Sequence, residues 1–405
     1  MMNLETERCP HFGRCGGCQH QDLDYDQQRA QKASTLASWF SAYWETPIEV
    51  EPSPALWHYR NKVDFTFGGK HYDSPPPKDF QRETVLGFKQ KGRWYAPLEI
   101  NECRIGPKGI PALLDSVRDW VRLHRYPAYD TRRHSGLLKA LLVREGKRTD
   151  QRMVALITRE GEVDADSFVD AVRRAYPADS IYHAVSDSLA EGAFADRSIL
   201  LHGNEHIYEE LQVPAENAMR RLRFRLSPFS FFQTNTLATE RLYARIREWV
   251  RDCSPDLIYD LYGGSGGIGL ACADFVPEIV SVESVRAASE DGESNAAANG
   301  VAAMTFITQP VEDYLRDLKQ TCATMPRDAV VVLDPPRAGL HPKALRRLME
   351  LRPRHIVYVA CKPQVLANVE LPAFREAGYR LCRLAAVDLF PHTQHVEVLA
   401  HLTIE

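Results

Sequence analysis

The sequence has no apolar run approaching the roughly 18 residues that a membrane-spanning helix requires, so a helical membrane protein is excluded as a reading. It has no internal repeat and no low-complexity tract, which sets aside solenoids and disordered linkers. Charge of one sign is also missing: the 405 residues carry a formal net charge of −4, with a pI near 6.4. A basic patch can still sit inside a balanced total, so RNA is neither favoured nor dismissed by charge. The polar start, Met1 to Pro10, reads as neither a signal nor a transit peptide, and a cytoplasmic setting is expected. What is present is an ordinary globular composition, 44% hydrophobic and 26% charged, enough for two or three domains with a sizeable core. Nine cysteines, an odd number without an export signal, argue for thiols, ligands and a nucleophile over a disulfide framework.

Three of those cysteines stand close together, as Cys9-x5-Cys15-x2-Cys18, in a loop loosened by Gly13, Gly16 and Gly17. Cys103, in Asn101-Glu-Cys103-Arg, supplies a possible distant fourth ligand. A structural zinc site normally uses two Cys-x2-4-Cys knuckles, and only one is present. The three-plus-one pattern favours a [4Fe-4S] cluster, with zinc and unliganded thiols as the alternatives.

Composition divides the chain into residues 1–110, 111–232 and 233–405. The first region holds the cysteine loop, a helical pattern from Tyr25 to Tyr43, strand signals at 61–67 and 84–88, and a loop at 74–78. The central region is α+β. Helices are expected over 110–124 and 167–176, with strands at 139–144, 151–158 and 180–185. A long helix from Thr236 to Arg251 opens the third region.

From Asp256 onward strands and helices alternate, the signature of a doubly wound parallel sheet. Seven strands are expected: 257–262, 279–283, 305–307, 329–333, 356–360, 380–387 and 395–402. The last two are joined by a turn too short for a crossover, so they must pair antiparallel. A parallel sheet closed by such a hairpin is the plan of class I S-adenosylmethionine methyltransferases. Its geometry sends Tyr262, Glu283, Asp334, Cys361, His395 and Glu397 to one crevice. The turn Gly264-Ser-Gly266-Gly-Ile-Gly269, with Glu283 further on, fits a dinucleotide or S-adenosylmethionine equally well. Asp334-Pro-Pro-Arg337 is either a substrate loop or a rigid proline turn. Cys361, just past an apolar strand, is either a core thiol or a nucleophile.

Taken together, Cys9-x5-Cys15-x2-Cys18 with Cys103, Tyr59-Arg-Asn-Lys-Val63, Phe231-Phe-Gln-Thr-Asn235, Asp260-Leu-Tyr-Gly-Gly-Ser-Gly-Gly-Ile-Gly269, Asp334-Pro-Pro-Arg-Ala-Gly339, Tyr358-Val-Ala-Cys-Lys-Pro363 and Phe390-Pro-His-Thr-Gln-His-Val-Glu397 resemble the RNA 5-methyluridine methyltransferases. The resemblance spans nearly the whole chain in family order. It implies that Gln233, Tyr262, Gly267, Glu283 and Asp334 contact S-adenosylmethionine. It further implies Cys361 as nucleophile, Glu397 as general base and the four N-terminal cysteines as ligands of a [4Fe-4S] cluster.

The implied chemistry accounts for the residue types. Carbon 5 of uracil is a poor nucleophile, and addition of a thiolate to carbon 6 makes it an enolate that can take a methyl group. A base must then remove the carbon 5 proton before the thiol leaves. The uracil has to leave its stack to reach Cys361, which implies base flipping or a single-stranded target.

The chain departs from the family pattern at Gly263, usually Cys, at Ala360, usually Ser, and at Lys362, usually Asn. An ammonium beside a thiol is expected to lower its pKa. With no room before Cys9 for the small β-barrel of some members, ribosomal RNA (a 23S rRNA uridine) is the expected substrate, and transfer RNA uridine-54 the alternative. A monomer is expected. Two other classes remain open, an NAD-dependent oxidoreductase and a non-catalytic iron-sulfur RNA-binding protein.

Overall fold

The computed structural model describes residues 8–72, 74, 77, 80, 82–189, 195–216 and 218–405. The start at residues 1–7 and, Ser74 and Pro77 apart, the loop read at 74–78 lie outside the described residues. Along the chain, β1 (Val50–Glu51) is followed by β2 (Lys62–Gly69), β3 (Thr84–Gln90), β4 (Arg93–Glu99), β5 (Leu138–Glu145), β6 (Arg152–Thr158), β7 (Ser180–Val185) and β8 (Arg197–Gly203). Then come β9 (Ile207–Pro214), β10 (Met219–Leu226), β11 (Leu257–Leu261), β12 (Glu278–Glu283), β13 (Met304–Thr308), β14 (Ala329–Leu333), β15 (His355–Ala360), β16 (Arg380–Val387) and β17 (Glu397–Thr403). The residues gather into two compact units.

The first unit comprises Met1–Asp24, Ala55–Glu209 and Leu226–Phe229. Its sheet has the order β4-β3-β2-β5-β6-β7-β8, antiparallel except for the β6–β7 pair. The helices Ile110–His124 and Ala165–Ala175 cover it. Ile110, Leu113, Leu114, Val117, Trp120 and Val121 repeat at helical spacing and are buried, with Pro111 in the first turn and Arg125 ending the helix at φ 55°. Asp164 caps the second helix by accepting from the Ser167 N–H.

The second unit comprises Tyr25–Pro54, Glu210–Arg225 and Ser230–Glu405. It takes in a stretch that composition assigns to the N-terminal region, because the helix Tyr25–Phe40 buries Leu36 and Phe40 in the core of this unit. The sheet order is β1-β16-β17-β15-β14-β11-β12-β13. β11 to β15 run parallel, and β17 is antiparallel to both β15 and β16, so the terminal hairpin expected from the sequence is present. β14 is buried at every position, which explains why it reads as an unbroken apolar run. β1, an eighth strand that two residues cannot signal, adds parallel to β16.

Four longer strands, β4, β8, β9 and β10, also go beyond the sequence reading, and β9 pairs with β10 in a separate ribbon. β10 is Met-Arg-Arg-Leu-Arg-Phe-Arg-Leu, whose Leu222, Phe224 and Leu226 are buried alternately, with Arg221, Arg223 and Arg225 at the positions between them and just before. Its period of two is plain once sought, but the charge disguises it as a surface segment. Among the described residues, no helix is long and apolar enough to cross a membrane.

Candidate active site

The site is built at the carboxyl ends of the parallel strands, on either side of the point where the sheet order reverses between β11 and β14. β11 delivers Asp260 and Tyr262, and β12 ends on Glu283. β14 leads to Asp334, and β15 to Cys361. β17 runs the other way and begins at Glu397. In the β15–β17 ladder Ala360 pairs with Val398, so the next position outward sets Cys361 opposite Glu397.

The glycine turn is shaped by its neighbours. Tyr262 lies at φ 64°, Gly264 at 55° and Gly266 at 80°, left-handed values that let the chain double back above β11. Glu283 holds the turn: one carboxylate oxygen accepts from the Gly264 N–H at 3.1 Å and the other from the Val285 N–H at 2.8 Å. At Gly263 a Cβ would come within 2.1 Å of Ser281 Oγ, so the serine occupies the space that the usual family cysteine would need. A Cβ at Gly267 would meet the Tyr243 hydroxyl at 2.4 Å, so this glycine lets the helix Gly267–Cys272 approach the helix Thr236–Asp252.

Asp260, to which the sequence reading gave no separate role, is buried and accepts from the Gly269 N–H at 3.1 Å. Its signal was available, a carboxylate ending the first strand just ahead of the glycine turn. Gln233 donates to Asp334 Oδ2 at 3.3 Å. Two residues on, Asn235 caps the helix Thr236–Asp252 and donates to the carbonyl of Leu389, tying the Phe231–Asn235 segment to the β16–β17 connection.

Four ionisable groups crowd this crevice. Burial raises Asp260 to about 7, with Glu283 adding to the effect, and raises Asp334 to about 7, with Asp260 adding. Glu397 is 2% exposed and is pushed to about 8, first by burial and then by Asp334. The Cys361 thiol rises to about 12 through burial, Glu397 and Asp334, while Arg337 opposes the shift. The cation acting on this thiol is therefore Arg337. Lys362, expected to lower its pKa, is exposed and is not among the leading influences on it.

The helix Tyr25–Phe40 fixes the loop ahead of Glu397. Gln28 accepts from the His392 N–H at 2.9 Å and meets His392 Nδ1 at 3.2 Å. Lys32 is buried and pairs with Asp388 at 2.7 Å. Asp388 also accepts from the Phe390 N–H at 3.0 Å, and the Thr393 hydroxyl bonds the Phe390 carbonyl at 2.8 Å. The Phe390-Pro-His-Thr motif is in this way a scaffold that aims the first residue of β17.

In the first unit, Cys9, Cys15, Cys18 and Cys103 all line one cavity of about 620 Å³. The cysteine loop is pinned to the β3–β4 turn by the Cys15–Gln90 bridge, by Gly16 N–H to the Lys89 carbonyl at 3.2 Å, and by Lys91 N–H to the Arg14 carbonyl at 2.7 Å. The four thiols are unpaired. Burial raises Cys15, takes Cys18 to about 11 and takes Cys103 to about 12, and in each case neighbouring cysteines of the set add to the rise.

Comparison with known proteins finds RNA methyltransferases. The sequence family described as tRNA (Uracil-5-)-methyltransferase matches residues 192–404. An uncharacterized RNA methyltransferase of Caldanaerobacter subterraneus is 32% identical over 401 residues, covering 97% of this chain and 84% of that protein. The tRNA (uracil(54)-C(5))-methyltransferase of Pyrococcus furiosus is 30% identical over 397 residues, 98% of this chain and 84% of that protein. Among solved structures, the Pyrococcus abyssi tRNA (uracil-54, C5)-methyltransferase in complex with S-adenosyl-L-homocysteine superposes with a TM-score of 0.74 at 28% identity, covering 96% and 86% of the two chains.

Proposed function

The chain belongs to the tRNA (uracil-5-)-methyltransferase family of S-adenosylmethionine-dependent RNA methyltransferases, and from that premise we propose that it methylates carbon 5 of a uracil through a covalent adduct on Cys361, with Glu397 as the base. The observation that carries the reading is the strand register, which sets Cys361 opposite Glu397 one step beyond the Ala360–Val398 pair.

The residues present suit the cofactor. Asp260, Asp334 and Glu397 are buried acids with raised pKa values, a charge pattern that a cationic ligand relieves and an anionic one aggravates. A dinucleotide pyrophosphate would bring negative charge to the same crevice, which disfavours the oxidoreductase alternative. S-adenosylmethionine supplies an electrophilic methyl group carried on a cation. Glu283 and the turn at 264–267 would take its ribose and carboxypropyl group, and Gln233, Tyr262 and Asp334 would supply the remaining contacts.

The Cys361 thiolate adds to uracil carbon 6, which turns carbon 5 into a nucleophile. Once carbon 5 is methylated, Glu397 takes its remaining proton, and the bond from carbon 6 to Cys361 breaks to release the product. General-base help of this kind is worth roughly 10²- to 10⁴-fold. A monomer is the proposed state. The thiols must stay reduced, in keeping with a cytoplasmic setting.

The four N-terminal cysteines are proposed to hold a [4Fe-4S] cluster. Their donor set is all thiol and lines one cavity, the ligand class that such clusters take. Such a cluster would tie the cysteine loop to Cys103 after β4. The central region, 111–232, is proposed to contribute to RNA binding.

A 23S rRNA uridine is the first proposed substrate, carried over from the family resemblance of the cysteine-bearing segment around Cys9, Cys15 and Cys18. Transfer RNA uridine-54 is the second reading, favoured by the two Pyrococcus enzymes that match over nearly the whole chain. The test is methyl transfer from labelled S-adenosylmethionine to ribosomal and transfer RNA from cells lacking the gene, followed by mapping of 5-methyluridine. Label in 23S rRNA alone supports the first reading and label at tRNA position 54 the second. No RNA labelling, or labelling that survives Cys361→Ala, overturns the proposed function.

A further inference from the structure

At the other end of the catalytic strands lies a second group of metal-ligating side chains that the methyl transfer does not use. Cys253 closes the helix Thr236–Asp252, His355 opens β15, and His401 lies on β17. The ladder explains why the two imidazoles meet. His401 pairs with Val357, and residues two apart on a strand share a face, so His355 and His401 point the same way. One ligand atom from each of the three residues lies within 4.8 Å of the others.

We propose that Cys253, His355 and His401 form a Zn²⁺ site that pins the helix Thr236–Asp252 to β15 and β17. The spacing fits. Tetrahedral zinc with bonds near 2.05 Å to nitrogen and 2.3 Å to sulfur sets its ligand atoms roughly 3.3 Å apart for two nitrogens and roughly 3.6 Å apart for nitrogen and sulfur. His355 Nδ1 stands 3.3 Å from His401 Nε2, and Cys253 Sγ stands 3.7 Å from the same nitrogen.

The chemistry of the set selects the metal class. Two imidazoles and a thiolate suit a borderline-soft ion, and the absence of any carboxylate from the trio disfavours Mg²⁺ and Ca²⁺. Three protein ligands leave the fourth tetrahedral position to water. His401 is 5% exposed and its Nδ1 is buried without a hydrogen-bond partner, so the polar demand of the ring falls on Nε2, which faces the trio. Trp249 stacks against His401 with a centroid separation of 6.3 Å and limits how the ring can turn. Arg383, paired with His401 across the β16–β17 ladder, is the adjacent cation, and its charge is met by Asp252 at 2.6 Å.

A metal here would join the far ends of the two strands that carry Cys361 and Glu397, and would stabilise the folded unit in proportion to its occupancy. The competing account is a hydrogen-bonded trio, in which Cys253 donates to the Trp249 carbonyl, 3.2 Å away, and the imidazoles bond each other.

The experiment uses the full-length protein, purified anaerobically with its iron content measured and stripped of zinc, and titrates it with Co²⁺ as a coloured stand-in for Zn²⁺. The site predicts one equivalent bound, tetrahedral d–d absorption, a thiolate-to-cobalt charge-transfer band and displacement by Zn²⁺. Cys253→Ser should lose that band with iron content unchanged, and His355→Gln should weaken binding at least about tenfold. His355 is half-buried at a strand start, so its variant decides the matter if Cys253→Ser fails to fold. Wild-type protein without a thiolate-to-cobalt band, or a band and an affinity that neither substitution alters, would overturn the proposal in favour of the hydrogen-bonded trio.

Discussion

Cys361 and Glu397 stand opposite each other at the open end of the β15–β17 ladder, and each is held in its protonated form by the burial they share. A thiol raised to about 12 is scarcely ionised at neutral pH, and a carboxyl raised to about 8 is mostly protonated there. The same electrostatics make them responsive to a cation, because every acid that raises them loses its leverage when positive charge arrives.

The first consequence concerns stability. Glu397 has a folded pKa of about 8 against an ordinary value near 4.5. A raised pKa contributes stability that is complete below the ordinary value and is lost as pH climbs through the folded one. Unfolding midpoints should therefore fall between about pH 4.5 and 8, by up to about 1.4 kcal/mol per pH unit from this group. Glu397→Gln should flatten that slope and be the more stable protein above pH 8, leaving the parallel contributions of Asp260 and Asp334. Equal slopes in urea titrations across this range would refute the assignment.

Cofactor binding should release protons. S-adenosylmethionine is cationic at sulfur and S-adenosylhomocysteine is not, so the former should lower the pKa values of Asp334 and Glu397 more. Calorimetry near pH 7.5 in two buffers of different ionisation enthalpy measures the difference directly. More protons should leave with S-adenosylmethionine, and identical counts for the two ligands would show that the acids do not face the sulfonium.

The catalytic sheet was legible because its signals are local. An apolar run such as β14, a glycine turn after β11 and a turn too short for a crossover each constrain topology without knowledge of distant contacts. That short turn was enough to place Glu397 beside Cys361. Lys362 shows the converse limit: adjacency in sequence did not reveal that it is exposed, while the cation named as opposing the rise of the thiol, Arg337, comes from the loop after a different strand. The helix Tyr25–Phe40 shows the same limit. Its pattern was readable, but nothing in it reveals that Gln28 and Lys32 serve a loop some 360 residues away.

That long-range support is itself testable. Lys32 and Asp388 are both buried, and removing one partner strands the other as an uncompensated charge. Lys32→Met should cost roughly 3–5 kcal/mol and slow methyl transfer by loosening the approach to Glu397. A midpoint shift of less than about 1 kcal/mol would mean that the pair does not hold the loop.

For the N-terminal cysteines, Cys15→Ser in anaerobically purified protein should lose visible absorbance and iron together. Cys272, buried in the second unit, supplies a control whose replacement by Ala leaves both unchanged. Stoichiometric zinc without iron in the wild-type protein would contradict the cluster.

The central claim, that Cys361 attacks and Glu397 removes the carbon 5 proton, is tested most directly by trapping the adduct. Glu397→Gln incubated with S-adenosylmethionine and substrate RNA should accumulate a protein–RNA complex that survives denaturing electrophoresis, and Cys361→Ala, alone or combined with it, should form none. A Glu397→Gln enzyme that turns over at the wild-type rate, or an adduct that persists without Cys361, would contradict the account.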